Sequence, residues 1–181
     1  MANQTSYADV QERGFAGMAP TPDRNEYLTL KNMEATASIP MGSGVKFDLS
    51  SPVSDLDALL PAAETDVICG IVAYSTTYAR SWTDSNGVIN GDLDSTGLRP
   101  NALMAVATRG RLLVLAEDAV AVGDHLWVRA TVGGPGEVLG GLLNADEGTE
   151  TIDCTNQGMW LTSAAAGKMA WLQFDFTGDA T

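Results

Sequence analysis

Positive charge is scarce in this chain. Its 181 residues include 10 Lys and Arg against 23 Asp and Glu, which gives a net charge of -13 at pH 7. A protein that covers nucleic acid or docks on anionic lipid needs a basic face, so we expect neither partner. Charged residues of both signs make up only 18% of the chain and hydrophobic residues make up 45%, which excludes a chain that is disordered throughout.

Histidine and cysteine are also rare. One His and two Cys are too few for most zinc sites, which take three or four nitrogen or sulfur ligands, whereas Ca²⁺ or Mg²⁺ sites built from aspartates stay open. We assign no metal ligands and expect no cofactor. Cys69 lies in an apolar run and is expected to be a core thiol. Cys154 lies in a polar stretch and is expected to be a surface thiol. We expect no export signal at the polar N-terminus, and a chain that is not exported favours free thiols.

Long hydrophobic runs and long helical periods are missing. The most apolar stretch, 112–122, contains Glu117 and Asp118, which excludes a transmembrane span. The 19 Gly and 7 Pro indicate many turns. Short runs of apolar and β-branched residues between turn signals predict an all-β barrel or sandwich. The main predicted strands are 27–30, 45–49, 67–74, 102–108, 111–115, 125–132 and 168–176, with a turn at 109–110 between the fourth and the fifth. Further candidates are 35–40, 138–143 and 159–162.

The two ends of the chain differ in character. Residues 1–25 are rich in Gly and Pro without a period, which predicts an extended N-terminal arm with Tyr7, Phe15 and Met18 as apolar anchors. Residues 26–181 form the predicted β body. Residues 75–100 are polar, with two Asn-Gly turn signals, and are predicted to be a surface insertion.

Few residues suggest catalysis. His125 follows Asp124, but adjacent residues of a strand point to opposite faces, so we expect a histidine at a turn or strand edge rather than an acid–base pair. Carboxylates crowd two segments, and solvated loops explain them better than a calcium site or a hydrolase in which Asp146 or Glu150 would meet a carboxylate of the insertion. These carboxylates are Asp84, Asp92 and Asp94, and then Asp146, Glu147, Glu150 and Asp153 of an acidic loop at 144–157. We therefore predict that the chain is not an enzyme.

The arginines of the predicted core are more informative. Arg99, Arg109, Arg111 and Arg129 fall among strands of an otherwise acidic chain. They either form ordinary salt bridges with nearby carboxylates or contact an acidic partner, and the sequence leaves the two alternatives even. Arg109, Arg111 and Arg129 are the contact candidates.

The order of the motifs resembles that of the structural cement, or decoration, proteins of tailed bacteriophage capsids. No single piece is diagnostic, but together the pieces cover most of the chain outside 75–100 and the acidic loop. They are 14–19 with 34–45, the stretch 109–129, and the stretch 160–172. The longer insertion at 75–100 departs from the family pattern.

The resemblance implies a non-enzymatic virion protein with a small β-barrel or β-tulip-like body and an extended N-terminal arm. Such a protein would be made in the host cytoplasm and bind the outer capsid surface as an oligomer, a trimer before a dimer. There it would clamp neighbouring major capsid proteins. An alternative function is a glycan- or host-surface-binding β module, in which Trp82, with Tyr74 and Tyr78, would stack on sugar rings.

Overall fold

The computed structural model describes residues 16–19, 25–50, 56–74 and 97–178, and the backbone alone of 82–83 and 89–90. Strands and turns make up almost all of these segments. One 3₁₀ turn at Gly148–Glu150 is the helical element among the described residues. The strands are β1 (Glu26–Asn32), β2 (Gly44–Phe47), β3 (Asp57–Leu59), β4 (Ile68–Ala73), β5 (Trp82–Thr83), β6 (Ile89–Asn90), β7 (Leu103–Ala116), β8 (Trp127–Arg129), β9 (Leu142–Leu143), β10 (Thr151–Asp153), β11 (Gly158–Trp160) and β12 (Lys168–Asp175).

Five strands close into a small barrel in the order β1, β3, β2, β4, β7. The ring closes because β1 pairs in parallel with β3 on one side and antiparallel with β7 on the other. Closure removes exposed strand edges, which would otherwise be open to aggregation. The barrel confirms the all-β prediction. Its interior holds one hydrophobic core, made of Leu30, Ile39, Val45, Ala58, Leu60, Cys69, Val72, Leu98, Ala102, Met104 and Val106.

The strand β7 joins this barrel to a second layer. Its first half belongs to the barrel, and its second half pairs with β12 from Arg109 to Ala116. Strands β9, β8 and β10 continue from the end of β7, and β11 pairs with β12. A second core fills the space between the outer face of the barrel and these strands. It includes Ile71, Ala107, Leu112, Val114, Leu126, Val128, Leu142, Trp160, Leu172 and Phe174.

The predicted turn at 109–110 is wrong, because β7 runs through it as one strand of 14 residues. Instead, the register of the two faces shifts within the strand, just before the glycine. Val106 lies in the barrel core and Ala107 in the second core, so alternation alone would turn Leu112 away from the second core. Leu112 lies in it nevertheless. The pairing with β1 skips Thr108, because Glu26 pairs with Arg109 and Tyr27 with Ala107, as in a β-bulge; Gly110, two residues further on, has φ +136°.

Other predictions meet mixed outcomes. The apolar run at 67–74 forms β4, whose six residues are all buried. The strand predicted at 125–132 is confined to β8. The loop predicted at 144–157 contains the 3₁₀ turn and β10. The predicted insertion at 75–100 lies mostly outside the described residues. Its described parts are the backbones of β5 and β6, which pair antiparallel, and residues 97–100, where Leu98 lies in the barrel core instead of on the surface. Within the described segments, no helix has the length and apolar character needed to cross a membrane.

Candidate functional site

A polar cleft, here called the arginine cleft, opens beside the register shift of β7. Its volume is about 950 Å³, and Arg109, Arg111, His125, Gln173 and Asp175 line it. Arg109 and Arg111 share one face because residues two apart on a strand point the same way. Arg109 and Arg111 are both exposed, and the even-numbered residues that follow Gly110 lie in the second core. The cleft therefore gathers two cations on the surface of an acidic chain.

Arg109 is paired with carboxylates at the rim of this cleft. Its Nε lies 3.2 Å from Asp175 Oδ2, and its Nη1 lies 3.8 Å from Glu26 Oε1. The side chain of Arg109 is 55% exposed. Ion pairs with this exposure contribute little to stability, about 0–1 kcal/mol, and exchange readily. Hydrogen bonds from the hydroxyl and the N–H of Thr177 hold the pKa of Asp175 below its ordinary value, and Arg109 adds to the effect.

Arg111 differs from Arg109, because it makes no ion pair with any described carboxylate. Its Nε donates to Gln173 Oε1 at 3.2 Å. Its backbone is held by one side chain: Arg111 N–H donates to Asn25 Oδ1 at 2.9 Å, and Asn25 Nδ2 donates to Arg111 O at 3.1 Å. Gly110 allows this contact, because a Cβ there would lie 1.8 Å from Asn25 Oδ1.

His125 also lines the arginine cleft. It forms an isolated bridge with Met159, as expected for a histidine at a strand edge. The Nδ1 atom lies 3.1 Å from Thr155 O, and since a carbonyl only accepts, Nδ1 carries the hydrogen. The hydrogen bond of the His125 ring goes to Thr155 and not to the neighbouring Asp124. Its carboxylate accepts from Ala121 N–H and then from the side chain of Asn144, and these bonds lower its pKa.

Arg129 is placed differently from the other two contact candidates. Its side chain is only 2% exposed, with Nε 2.6 Å from Glu117 Oε2 and Nη1 2.8 Å from Glu147 Oε2. The same Nη1 lies 3.6 Å from Oε2 of both Glu137 and Glu150. Burial alone would lower the pKa of Arg129, but the pairing with Glu117 and Glu147 raises it above its ordinary value. Of the two alternatives for the arginines, Arg129 therefore shows salt bridging within the chain.

The carboxylates around Arg129 tie three segments to the end of β7. Glu117 Oε1 accepts from Val138 N–H at 2.7 Å. Glu137 Oε2 accepts from Gly133 and Gly134 N–H at 2.6 and 2.7 Å, bonds that lower the pKa of this carboxyl together with Arg129. Glu137, Glu147 and Glu150 bring oxygens within 4.8 Å of one another, but the guanidinium of Arg129 already lies among them. The acidic loop is thus partly an ion cluster: Glu147 and Glu150 remain partly exposed, as expected for a solvated loop, and they also face the guanidinium of Arg129.

Part of the predicted arm lies on the body of the chain itself. Gly17 N–H donates to Leu113 O, and Leu113 N–H donates to Met18 O, both at 2.8 Å. Tyr74 N–H donates to Gly17 O at 2.9 Å, which links the same segment to the end of β4. A Cβ on Gly17 would lie 2.7 Å from Tyr74 N, so only glycine fits this crossing. The segment 16–19 is therefore docked on the body of the chain, against the second half of β7 and the end of β4.

An apolar groove opens at the end of the barrel where β1 begins. Its volume is about 950 Å³, and its lining includes Leu28, Phe47, Leu49, Val67 and Phe176. Leu49 is 84% exposed and Val67 is 63% exposed. Clustered exposed apolar side chains of this kind are typical of surfaces that contact another molecule. Near the groove, burial raises the pKa of Asp66, but hydrogen bonds from Lys46 and from the backbone outweigh burial and lower it.

The two thiols are free and both are buried. The prediction of a core thiol is confirmed for Cys69. The prediction of a surface thiol is wrong for Cys154, which is 2% exposed and belongs to the second core. Burial raises the pKa of both thiols to about 12. Neither thiol is a nucleophile at neutral pH.

Several predicted site residues lie outside the described segments. They are Tyr7 and Phe15 of the arm, Tyr78, the side chain of Trp82, and the carboxylates Asp84, Asp92 and Asp94. Sequence reasoning also missed residues that the structure brings into the site. The alternation of Leu172, Gln173, Phe174 and Asp175 is a period-two signal that could have located the exposed face of β12. Nothing local to Asn25 announces its contact with Arg111.

Comparison with known proteins decides the family. The sequence profile of the family described as "Structural cement protein (E217 gp24/Pam3 gp6)" matches residues 3–175. The chain belongs to this family. Membership assigns the cement protein a structural role in stabilising a bacteriophage capsid, in association with capsid proteins of the virion.

A solved structure supports the fold of this cement protein. A chain from the structure entitled "The capsid of Myoviridae Phage XM1" is 16% identical and superposes with a TM-score of 0.62, over 96% of this chain and 97% of that one. At this identity the likeness concerns the fold alone. The searched set of curated proteins contains no match.

Proposed function

We propose that this cement protein acts without catalysis, by binding the outer capsid surface as an oligomer and clamping neighbouring major capsid proteins. Family membership carries the proposal, because it assigns the capsid-stabilising role. The trimer is the first expectation for the oligomer. Two surface features support the proposal, because either could contact another protein: an exposed apolar groove on the closed barrel, and a polar cleft with Arg109 and Arg111.

The arm is the proposed clamp. Its docked part, 16–19, fixes where residues 1–15 leave the body. Fully extended, fifteen residues span about 50 Å, enough to cross from one capsid subunit to the next. Extended backbone can add to an exposed strand edge, with Tyr7 and Phe15 as apolar anchors, while Met18 holds the root of the arm on β7.

Removing residues 1–15 tests the clamp and leaves the docked segment in place. In an oligomer, the binding of one arm raises the effective concentration of the other arms at the capsid. Removal of all the arms should therefore lower the affinity for the capsid by about 10²-fold or more. The assay is co-sedimentation with capsids that lack cement protein. A full-length chain with Tyr7→Ser and Phe15→Ser should lose affinity similarly, whereas Gln4→Ala with Gln11→Ala, at polar positions of the same arm, should not.

Two results would contradict the proposal. Capsid binding by the truncated chain equal to that of the full chain would remove the arm as the clamp. Sedimentation of the full chain as a monomer, at concentrations where it binds capsids, would remove the oligomer. Unchanged unfolding of the truncated chain in urea is the control that its body remains folded.

A further inference from the structure

The arginine cleft concentrates hydrogen-bond donors on a chain with a net charge of -13. Arg109 and Arg111 stand on one face of β7, and His125, Gln157 and Gln173 surround them. A guanidinium carries five N–H donors and no acceptor. The rim carboxylates compensate only Arg109, through exposed ion pairs at 3.2 and 3.8 Å. The guanidinium of Arg111 forms no ion pair with a described carboxylate, although acidic residues outnumber basic ones in the chain.

The backbone beside the cleft cannot take part in strand addition. At Arg111, both the N–H and the C=O are bonded to the side chain of Asn25. At Leu113, both groups are bonded to the arm segment, through Gly17 and Met18. A partner at this face must therefore be recognised by side chains. Side chains that present planar, charged acceptors to two arginines are carboxylates, which guanidinium groups bind in a bidentate manner.

We propose that the arginine cleft receives an acidic loop of the capsid partner. Arg111 binds a carboxylate directly, and Arg109 exchanges its exposed pairs with Glu26 and Asp175 for a second one. The amides of Gln157 and Gln173 complete the site. The inference rests on the proposed function, since it names the chemistry of a second contact with the capsid, in addition to the arm.

The test compares variants in co-sedimentation with capsids that lack cement protein. Arg111→Gln should weaken binding about 10- to 100-fold, the effect of losing a charge-assisted hydrogen bond. Arg111→Lys should lose part of this affinity, because lysine keeps the charge but not the bidentate geometry. Lys168→Gln is the matched control: it removes one positive charge at the other end of β12, about 23 Å from Asp175, and should bind like the parent chain.

Two further readouts address the carboxylate. Octa-glutamate peptide should compete with capsids for the parent chain, and octa-glutamine should not. The dependence of binding on salt should become weaker in Arg111→Gln, because fewer charges are paired in that complex.

The outcomes separate this inference from the proposed function. If the parent chain does not bind capsids, the proposed function fails. If the parent chain binds and Arg111→Gln binds equally well, with the same salt dependence, the cleft is not the contact and the cement function stands. Failure of octa-glutamate to compete would likewise overturn the carboxylate chemistry. Arg111 is exposed, so unchanged urea unfolding of each variant is expected and is measured as the control.

Discussion

The ion cluster around Arg129 gives a direct test of how the second layer is held together. In Arg129→Met, Glu117 loses the cation at 2.6 Å, while its own side chain stays only 9% exposed. Glu137, Glu147 and Glu150 would then face one another without the guanidinium between them. The perturbation therefore leaves one buried and three partly exposed carboxylates uncompensated.

The expected magnitude follows from this burial. Removing one partner of a buried ion pair costs about 3–5 kcal/mol, because the remaining charge stays desolvated. For a domain of this size that loss lowers Tm by roughly 6–20 °C. The matched control is Arg109→Gln, which breaks two exposed pairs and should cost no more than about 1 kcal/mol.

A second variant separates charge from packing. In Arg129→Met with Glu117→Gln, a neutral amide replaces the buried carboxylate. The oxygen of this amide can still accept from Val138 N–H. The double variant should be less destabilised than the sum of the two single changes, with a coupling of about 0.5–3 kcal/mol. The free energies of unfolding come from urea denaturation followed by circular dichroism. A loss in Arg129→Met no larger than that in Arg109→Gln would refute the reasoning, since the cluster would then be as hydrated as the surface pairs.

Three other predictions concern the glycine of β7, the thiols and pH. Gly110→Ala should lower the free energy of unfolding, measured in urea, by more than about 1 kcal/mol, because the residue has a positive φ and its new Cβ would collide with Asn25. Gly136→Ala is the control: with φ +95° and open space around it, it should show only the smaller cost of backbone strain. Cys69 and Cys154 should not react with a thiol reagent at pH 8 in the folded chain, and both should react in guanidinium; fast labelling of the folded chain would contradict their burial. Asp66, Asp124, Glu137 and Asp175 have lowered pKa values in the folded chain. Each carboxylate stabilises the fold at a pH above its unfolded pKa, and this contribution is lost as the pH falls through its folded pKa. The Tm should therefore be constant above about pH 5 and decrease progressively below about pH 4.

Local patterns were sufficient where one strand decides its own burial. The apolar run that forms β4 is buried on both faces, and the alternation at 45–49 places β2 in the barrel wall. The motif at 109–111 shows the limit of such reasoning. Gly110 has the signature of a turn, yet both halves of β7 are held by partners far along the chain, β1 and β12. Those partners keep the strand continuous, with a β-bulge at Thr108 and the glycine inside the strand.

The site shows the same division. Sequence reasoning singled out Arg109, Arg111 and Arg129 as a group, but it could not separate them. The tertiary structure places two of them in a cleft and buries the third among four carboxylates. A charged residue inside an apolar run, Glu117, was a usable signal of a buried pair, because an ion is rarely buried without a counter-charge.

The sequence by itself determined the all-β class, the acidic surface, the buried β4 and the family, because composition, alternation and motif order are written along the chain. Only the tertiary structure decided that 16–19 lies on the body of the chain, that Cys154 is buried, and that Arg111 faces a cleft. These properties depend on contacts between residues far apart in sequence, such as Gly17 with Leu113, and sheet topology alone brings such residues together.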